Sequence, residues 1–137
     1  MNRKIAALLL ALAAFFDPPW VAGTTEGLRA PETDDRGVTF RWTTGHATFY
    51  VPTSARQLIL RLSSGPLING RPAIVRLSID DGPVANVTMT DPAAWQVVTV
   101  FVPQRRTLRR SRRVDLHVNR TVGESNLGVR VSAVEWH

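Results

Sequence analysis

Three histidines, two adjacent acidic pairs and one arginine run are the groups in this chain with chemistry to offer. A nucleophilic hydrolase needs a histidine base held by a carboxylate beside a hydroxyl. His46 falls in Thr44-Gly45-His46, which reads as a turn. His117 alternates with Asp115 and Asn119 on a polar strand face, and His137 is the last residue. There is no Gly-x-Ser-x-Gly elbow to present a serine. Glycoside hydrolysis needs two carboxylates flanking a bond. The pairs here, Asp34-Asp35 and Asp80-Asp81, are adjacent residues in a linker and in a turn. Aspartate tolerates turn backbone angles and binds its own amides, so turn geometry accounts for both. Asp115 and His117 share a face, but two ligands are too few for a metal. With no cysteine, disulfides, thiolate metal sites and thiol nucleophiles are excluded. These residues predict a chain with no catalytic group, no metal and no cofactor.

The strongest charge feature runs from Arg105 to Arg113, with six arginines in nine residues. Guanidinium binds oxyanions in a bidentate fashion, so the run predicts contact with an anionic surface, either lipid phosphate or acidic glycan. The plainer reading is a solvated loop, because sixteen of the seventeen basic residues are arginine and the net charge is +6. Aromatic faces stack on sugar rings. Trp42 and Trp95 share parity with apolar neighbours and are expected in the core. Tyr50 and Trp136 are the better stacking candidates.

These groups must be positioned by strands. Apolar and polar residues alternate through Val38–Thr43, Ala47–Val51, Leu58–Ser63, Ala73–Ile79, Val84–Met89, Arg113–Asn119 and Leu127–Ala133. Such alternation suits half-buried strands. Asp81-Gly82 is expected to turn the central hairpin. The run Trp95–Val102 is apolar on both faces and is expected to be a central strand. Eight short strands suit a single all-β domain, an antiparallel two-sheet sandwich of jelly-roll type. An immunoglobulin-like sandwich is the alternative, without its Cys-Trp-Cys framework.

The basic Asn2-Arg3-Lys4, an apolar run over residues 5–16 and small residues at Val21-Ala22-Gly23 form an export-signal pattern. This predicts a signal peptide or anchor over 1–23, a linker over 24–37 and the sandwich over 38–137. Such a chain would be periplasmic, at the cell surface or membrane-anchored, and nucleic acid is not an expected partner. Asn86-Val87-Thr88 and Asn119-Arg120-Thr121 match the glycosylation sequon by chance.

The order of strands carries a resemblance. Ala47-Thr48-Phe49-Tyr50-Val51-Pro52 and Leu58–Ser63 precede a hairpin with Ile79-Asp80-Asp81-Gly82-Pro83-Val84. Then come the Trp95–Val102, Arg113–Asn119 and Leu127-Gly128-Val129-Arg130-Val131 runs. This resembles the galactose-binding-like jelly roll of carbohydrate-binding modules. It also resembles the C-terminal β-sandwich of some bacterial membrane glycosyltransferases, which have similar "R-V-D-L-x-V" and "L-G-V-x-V" strands. The resemblance implies a non-catalytic module for a glycan or cell-envelope polysaccharide. The alternative is an accessory domain of a membrane glycosyltransferase system, or a detached fragment of one. Modules of this fold often hold structural calcium. Asp34, Asp35 and Glu135 are the available acids, and they lack ligand spacing. The outward half of the alternation supplies the candidate ligand-binding residues: Arg41, Tyr50, Arg61, Arg76, His117, Asn119 and Arg130.

Overall fold

A computed structural model describes residues 26–65, 71–123 and 126–137; the export pattern over 1–23 lies outside them. Among the described residues there are nine strands and no helix. They are β1 (Glu26–Leu28), β2 (Glu32–Thr33), β3 (Thr39–Pro52), β4 (Gln57–Ser63), β5 (Ala73–Ile79), β6 (Gly82–Met89), β7 (Gln96–Phe101), β8 (Ser111–Val118) and β9 (Arg130–Trp136). The hydrogen-bonded order is β6-β5-β8-β3-β9-β4-β7, with β1 and β2 also paired to β3. Every pairing between these strands is antiparallel.

β3 makes the fold a sandwich. Its residues 46–52 pair with β8, while Arg41 and Trp42 pair with β9. One 14-residue strand therefore serves two sheets. The first is β6-β5-β8-β3 with β1, and the second is β3-β9-β4-β7. Their inner faces share one core, with Phe49, Val75, Leu77, Val114 and Leu116 from the first sheet and Leu58, Leu60, Leu62, Val100 and Val131 from the second. At the far end of the path, β6 and β7 come into contact. Alternation sends one side chain in two into this core and leaves the other half outside.

Four expectations change. Thr44-Gly45-His46 is not a turn, because β3 runs straight through it and two expected strands become one. The expected linker holds β1 and β2, which are too short to show alternation. The hairpin turns one residue earlier than Asp81-Gly82. Asp80 and Asp81 both take left-handed backbone (φ 48 and 67), and Gly82 already pairs with Ile79. A two-residue turn with positive φ at both positions matches the twist of the flanking strands. Finally, β7 is not central. It pairs with β4 alone, and its outer Val97 and Phe101 are exposed.

Candidate functional site

The outer face of the first sheet gathers polar residues from three neighbouring strands. Register sets them in rows. Arg76 of β5 lies opposite His117 of β8, which lies opposite His46 of β3. In the next row are Ser78, Asp115 and Thr48, with Glu26 of β1 beyond. In a third row Arg113 faces Tyr50.

Asp115 is the centre of this face and is nearly buried. Its Oδ1 accepts from the Thr48 hydroxyl at 2.7 Å and lies 2.7 Å from His46 Nε2. Its Oδ2 accepts from Arg113 Nε at 2.9 Å. Burial works to raise the Asp115 carboxyl, but the bonds from Thr48, His46 and Arg113 outweigh it and hold it below the usual carboxylate range. The same pairing raises the Arg113 guanidinium, chiefly through its bond to Asp115. Arg113 also reaches Asp81 across the hairpin turn. The His46 and His117 rings stack, 4.1 Å between centroids and 19° from parallel. Burial, with the charges of His46 and Arg76, pushes His117 below the ordinary imidazole value.

The Asp-His-hydroxyl cluster is not a hydrolytic relay. A relay uses both ring nitrogens, one toward the acid and one toward the nucleophile. Here Asp115 and Thr48 both meet His46 at Nε2 (2.7 and 3.3 Å), and the Thr48 hydroxyl donates to the acid. The arrangement orders a surface. Among the described residues no three histidine or acidic side chains could together hold a metal ion.

Three shallow recesses adjoin on this face. One of about 390 Å3 lies over His46, Thr48, Tyr50, Asp115 and His117. One of about 370 Å3 lies over Arg76, Ser78, Pro83 and His117. The largest, about 570 Å3, lies between Tyr50, the turn aspartates and Arg105, Arg109 and Arg113.

The structure splits the seven candidate residues between sheets. Tyr50, Arg76 and His117 share the face just described. Asn119 stands at its edge with a framework role, its Oδ1 accepting from the Ile74 amide at 2.8 Å while its own amide donates to the Ile74 carbonyl. Arg41, Arg61 and Arg130 belong to strands of the second sheet. Arg130 is committed there. Its guanidinium lies 5.1–5.8 Å from the rings of Phe40, Trp42 and Trp95, and it donates to Ser63 Oγ and the Pro92 carbonyl. Arg41 donates to the Arg29 carbonyl at 2.6 Å. Trp136 packs partly buried against the core. Of the acids considered for calcium, Asp34 Oδ1 accepts the amides of Arg36 and Val38, a turn role.

Sequence reasoning missed His46, Thr48 and Arg113. The parity of Tyr50 carried back two and four residues reaches Thr48 and His46. Reading Gly45 as a turn broke that count.

No protein-family profile matches the chain. No curated protein matches it either. Solved structures do. A family 35 carbohydrate-binding module from Clostridium thermocellum superposes with a TM-score of 0.52 at 10% identity, covering 85% of this chain and 92% of that one. A family 35 module from an environmental isolate gives 0.51 at 12%, covering 81% and 86%. A family two carbohydrate esterase from Clostridium thermocellum, in complex with cellohexaose, gives 0.52 at 11% over 82% of this chain. The chain spans only 31% of that esterase's length. The chain therefore shares the fold of these carbohydrate-binding modules, an antiparallel β-sandwich of jelly-roll type, as the order of strands implied.

Proposed function

We propose that this chain is a non-catalytic carbohydrate-binding module whose ligand lies on the outer face of the β6-β5-β8-β3 sheet. The observation that carries this reading is the run of adjoining recesses from Arg76 across His117 and His46 to Tyr50. The face supplies what a sugar chain needs: the part-exposed ring of Tyr50, a stacked imidazole pair whose His46 is held by Asp115, and the exposed guanidinium of Arg76. Sugars bind through such stacking and through hydroxyl hydrogen bonds to fixed polar groups. The fold shared with carbohydrate-binding modules supports the same reading.

The test is a glycan-array screen of the full chain, followed by calorimetry with the best glycan. Tyr50→Ala and Arg76→Ala are each expected to weaken binding by about tenfold, near 1.4 kcal/mol. Arg61→Ala, on the second sheet, is expected to leave it unchanged. Affinity that depends on Arg61 and ignores Tyr50 and Arg76 would move the ligand to the other sheet and refute this assignment.

Export belongs to the same proposal, supported by the basic, apolar and small-residue order of residues 2–23. Cell fractionation should recover the protein outside the cytoplasm, with a mature chain that starts at Thr24 if cleavage follows Gly23. The second reading, an accessory domain of a membrane glycosyltransferase system, is favoured by Arg113-Val114-Asp115-Leu116 in β8 and Leu127-Gly128-Val129 before β9. A gene for a multi-spanning glycosyltransferase directly upstream would support it.

A further inference from the structure

We propose that the loop 102–110 is a membrane-docking element that seats this domain on an anionic bilayer, with Leu108 as its apolar anchor. The two most exposed large hydrophobic side chains among the described residues lie on this loop and at its start. Leu108 at its tip is fully exposed (104%), and Phe101 at its base is 79% exposed. Neither helps to form the core.

Charge surrounds them. Arg105, Arg106, Arg109 and Arg110 are all exposed on the loop. The six-arginine run thus divides by strand geometry. Arg112 and Arg113, on β8, turn to the hairpin aspartates Asp80 and Asp81. The other four are exposed on the loop, and Arg105 and Arg109 also border the recess beside Asp80 and Asp81.

The loop is held at both ends. At its start the Val102 amide donates to the Arg56 carbonyl at 2.8 Å, and Arg112 Nη1 donates to the Pro103 carbonyl at 2.5 Å. At its end the Thr53 hydroxyl and amide donate to the carbonyls of Arg109 and Arg110 at 2.5 and 2.9 Å. Only the short stretch carrying Leu108 projects between these anchors.

A leucine among arginines selects the kind of partner. An acidic polysaccharide would satisfy the guanidinium groups but offer nothing to bury Leu108. A bilayer with anionic lipids supplies both, with phosphates at the surface and hydrocarbon just beneath. Arginine side chains keep their charge at the headgroups while their stems lie along apolar surface. This docking is independent of whether the sheet face binds sugar.

The chain has no cysteine, so Thr107→Cys gives a unique site beside Leu108 for an environment-sensitive fluorophore. The labelled full chain is mixed with vesicles of equal phosphatidylglycerol and phosphatidylcholine, and with phosphatidylcholine alone. Anionic vesicles are expected to brighten the emission and shift it to the blue; neutral vesicles are not. Arg105→Gln with Arg109→Gln, or Leu108→Ser, should weaken the response by about tenfold or more, and about 0.5 M salt should suppress it. A label at exposed Thr88→Cys on β6 should stay in water, which separates loop insertion from lipid contact elsewhere. No response to anionic vesicles would overturn the proposal. So would an equal response to neutral ones, or a response to soluble polygalacturonate in place of vesicles.

Discussion

Two charged residues among those described sit deep in the fold, and they do different work. Arg112 is 2% exposed, and its Nε donates to Asp80 Oδ2 at 2.5 Å. Burial works to raise the Asp80 carboxyl. The Arg112 bond, the Arg113 amide and the charges of Arg112 and Arg105 outweigh it and lower the group. Removing one partner of a buried pair strands the other charge. Arg112→Ala is therefore expected to cost about 3–5 kcal/mol in urea denaturation, while Arg112→Met, which keeps the volume and the apolar stem, costs less. Asp115 instead braces the outer face. Its loss should matter to the arrangement of His46 and Arg113 as well as to stability. The pH dependence follows from the directions of three shifts. His117, Asp80 and Asp115 all bind protons less tightly folded than unfolded. Each therefore stabilises the fold above its ordinary value and loses that contribution as pH falls. Melting temperature is expected to hold steady above the ordinary imidazole value of 6.5, to decline just below it through His117, and to drop again below the carboxylate value of 3.8. His117→Gln should flatten the first decline and leave the second. A melting temperature that rises on acidification would contradict the assignment.

At the scale of elements, alternation made most strands legible, and the exceptions have physical causes. β4, β5 and β8 bury every second residue in the core, so the alternation shows in their sequences despite outward Ile59 and Ile74 and inward Arg112. β3 crosses from one sheet to the other, and Gly45 and the polar Thr43-Thr44 lie near the crossing, where the chain looks like a turn. Thr43 is nonetheless fully buried: its hydroxyl accepts the Val129 amide at 3.0 Å, while its own amide donates to the Val129 carbonyl. The hairpin shifted because the side chains of Asp80 and Asp81 bind Arg112 and Arg113, a contact no local signal contains. β7 misled because Gln96–Phe101 carries apolar residues on a face that has no partner strand above it. An edge position makes a direct prediction. Val97→Lys should change stability by no more than about 0.5 kcal/mol, since surface substitutions usually do. A strand covered on both faces would lose several times that, as calorimetric melting can distinguish.

At the scale of the whole molecule, the sandwich decides which outward residues can ever meet one ligand. Alternation correctly places Arg41, Arg61, Arg76 and Tyr50 away from the core. It says nothing about which sheet each strand joins, and β3 itself contributes Arg41 to one sheet and Tyr50 to the other. The composition, the alternating pattern and the turn residues by themselves determined an all-β sandwich and most of its core, because a side chain's facing in a strand is a local property of period two; Trp42 and Trp95, expected in that core, instead lie half-buried around Arg130. Sheet membership, register, the burial of Asp115 and Arg112 and the His46–His117 stack were decided only by tertiary structure. They arise from pairings between residues about 30 to 90 positions apart, and the free energy of such pairings belongs to two segments at once.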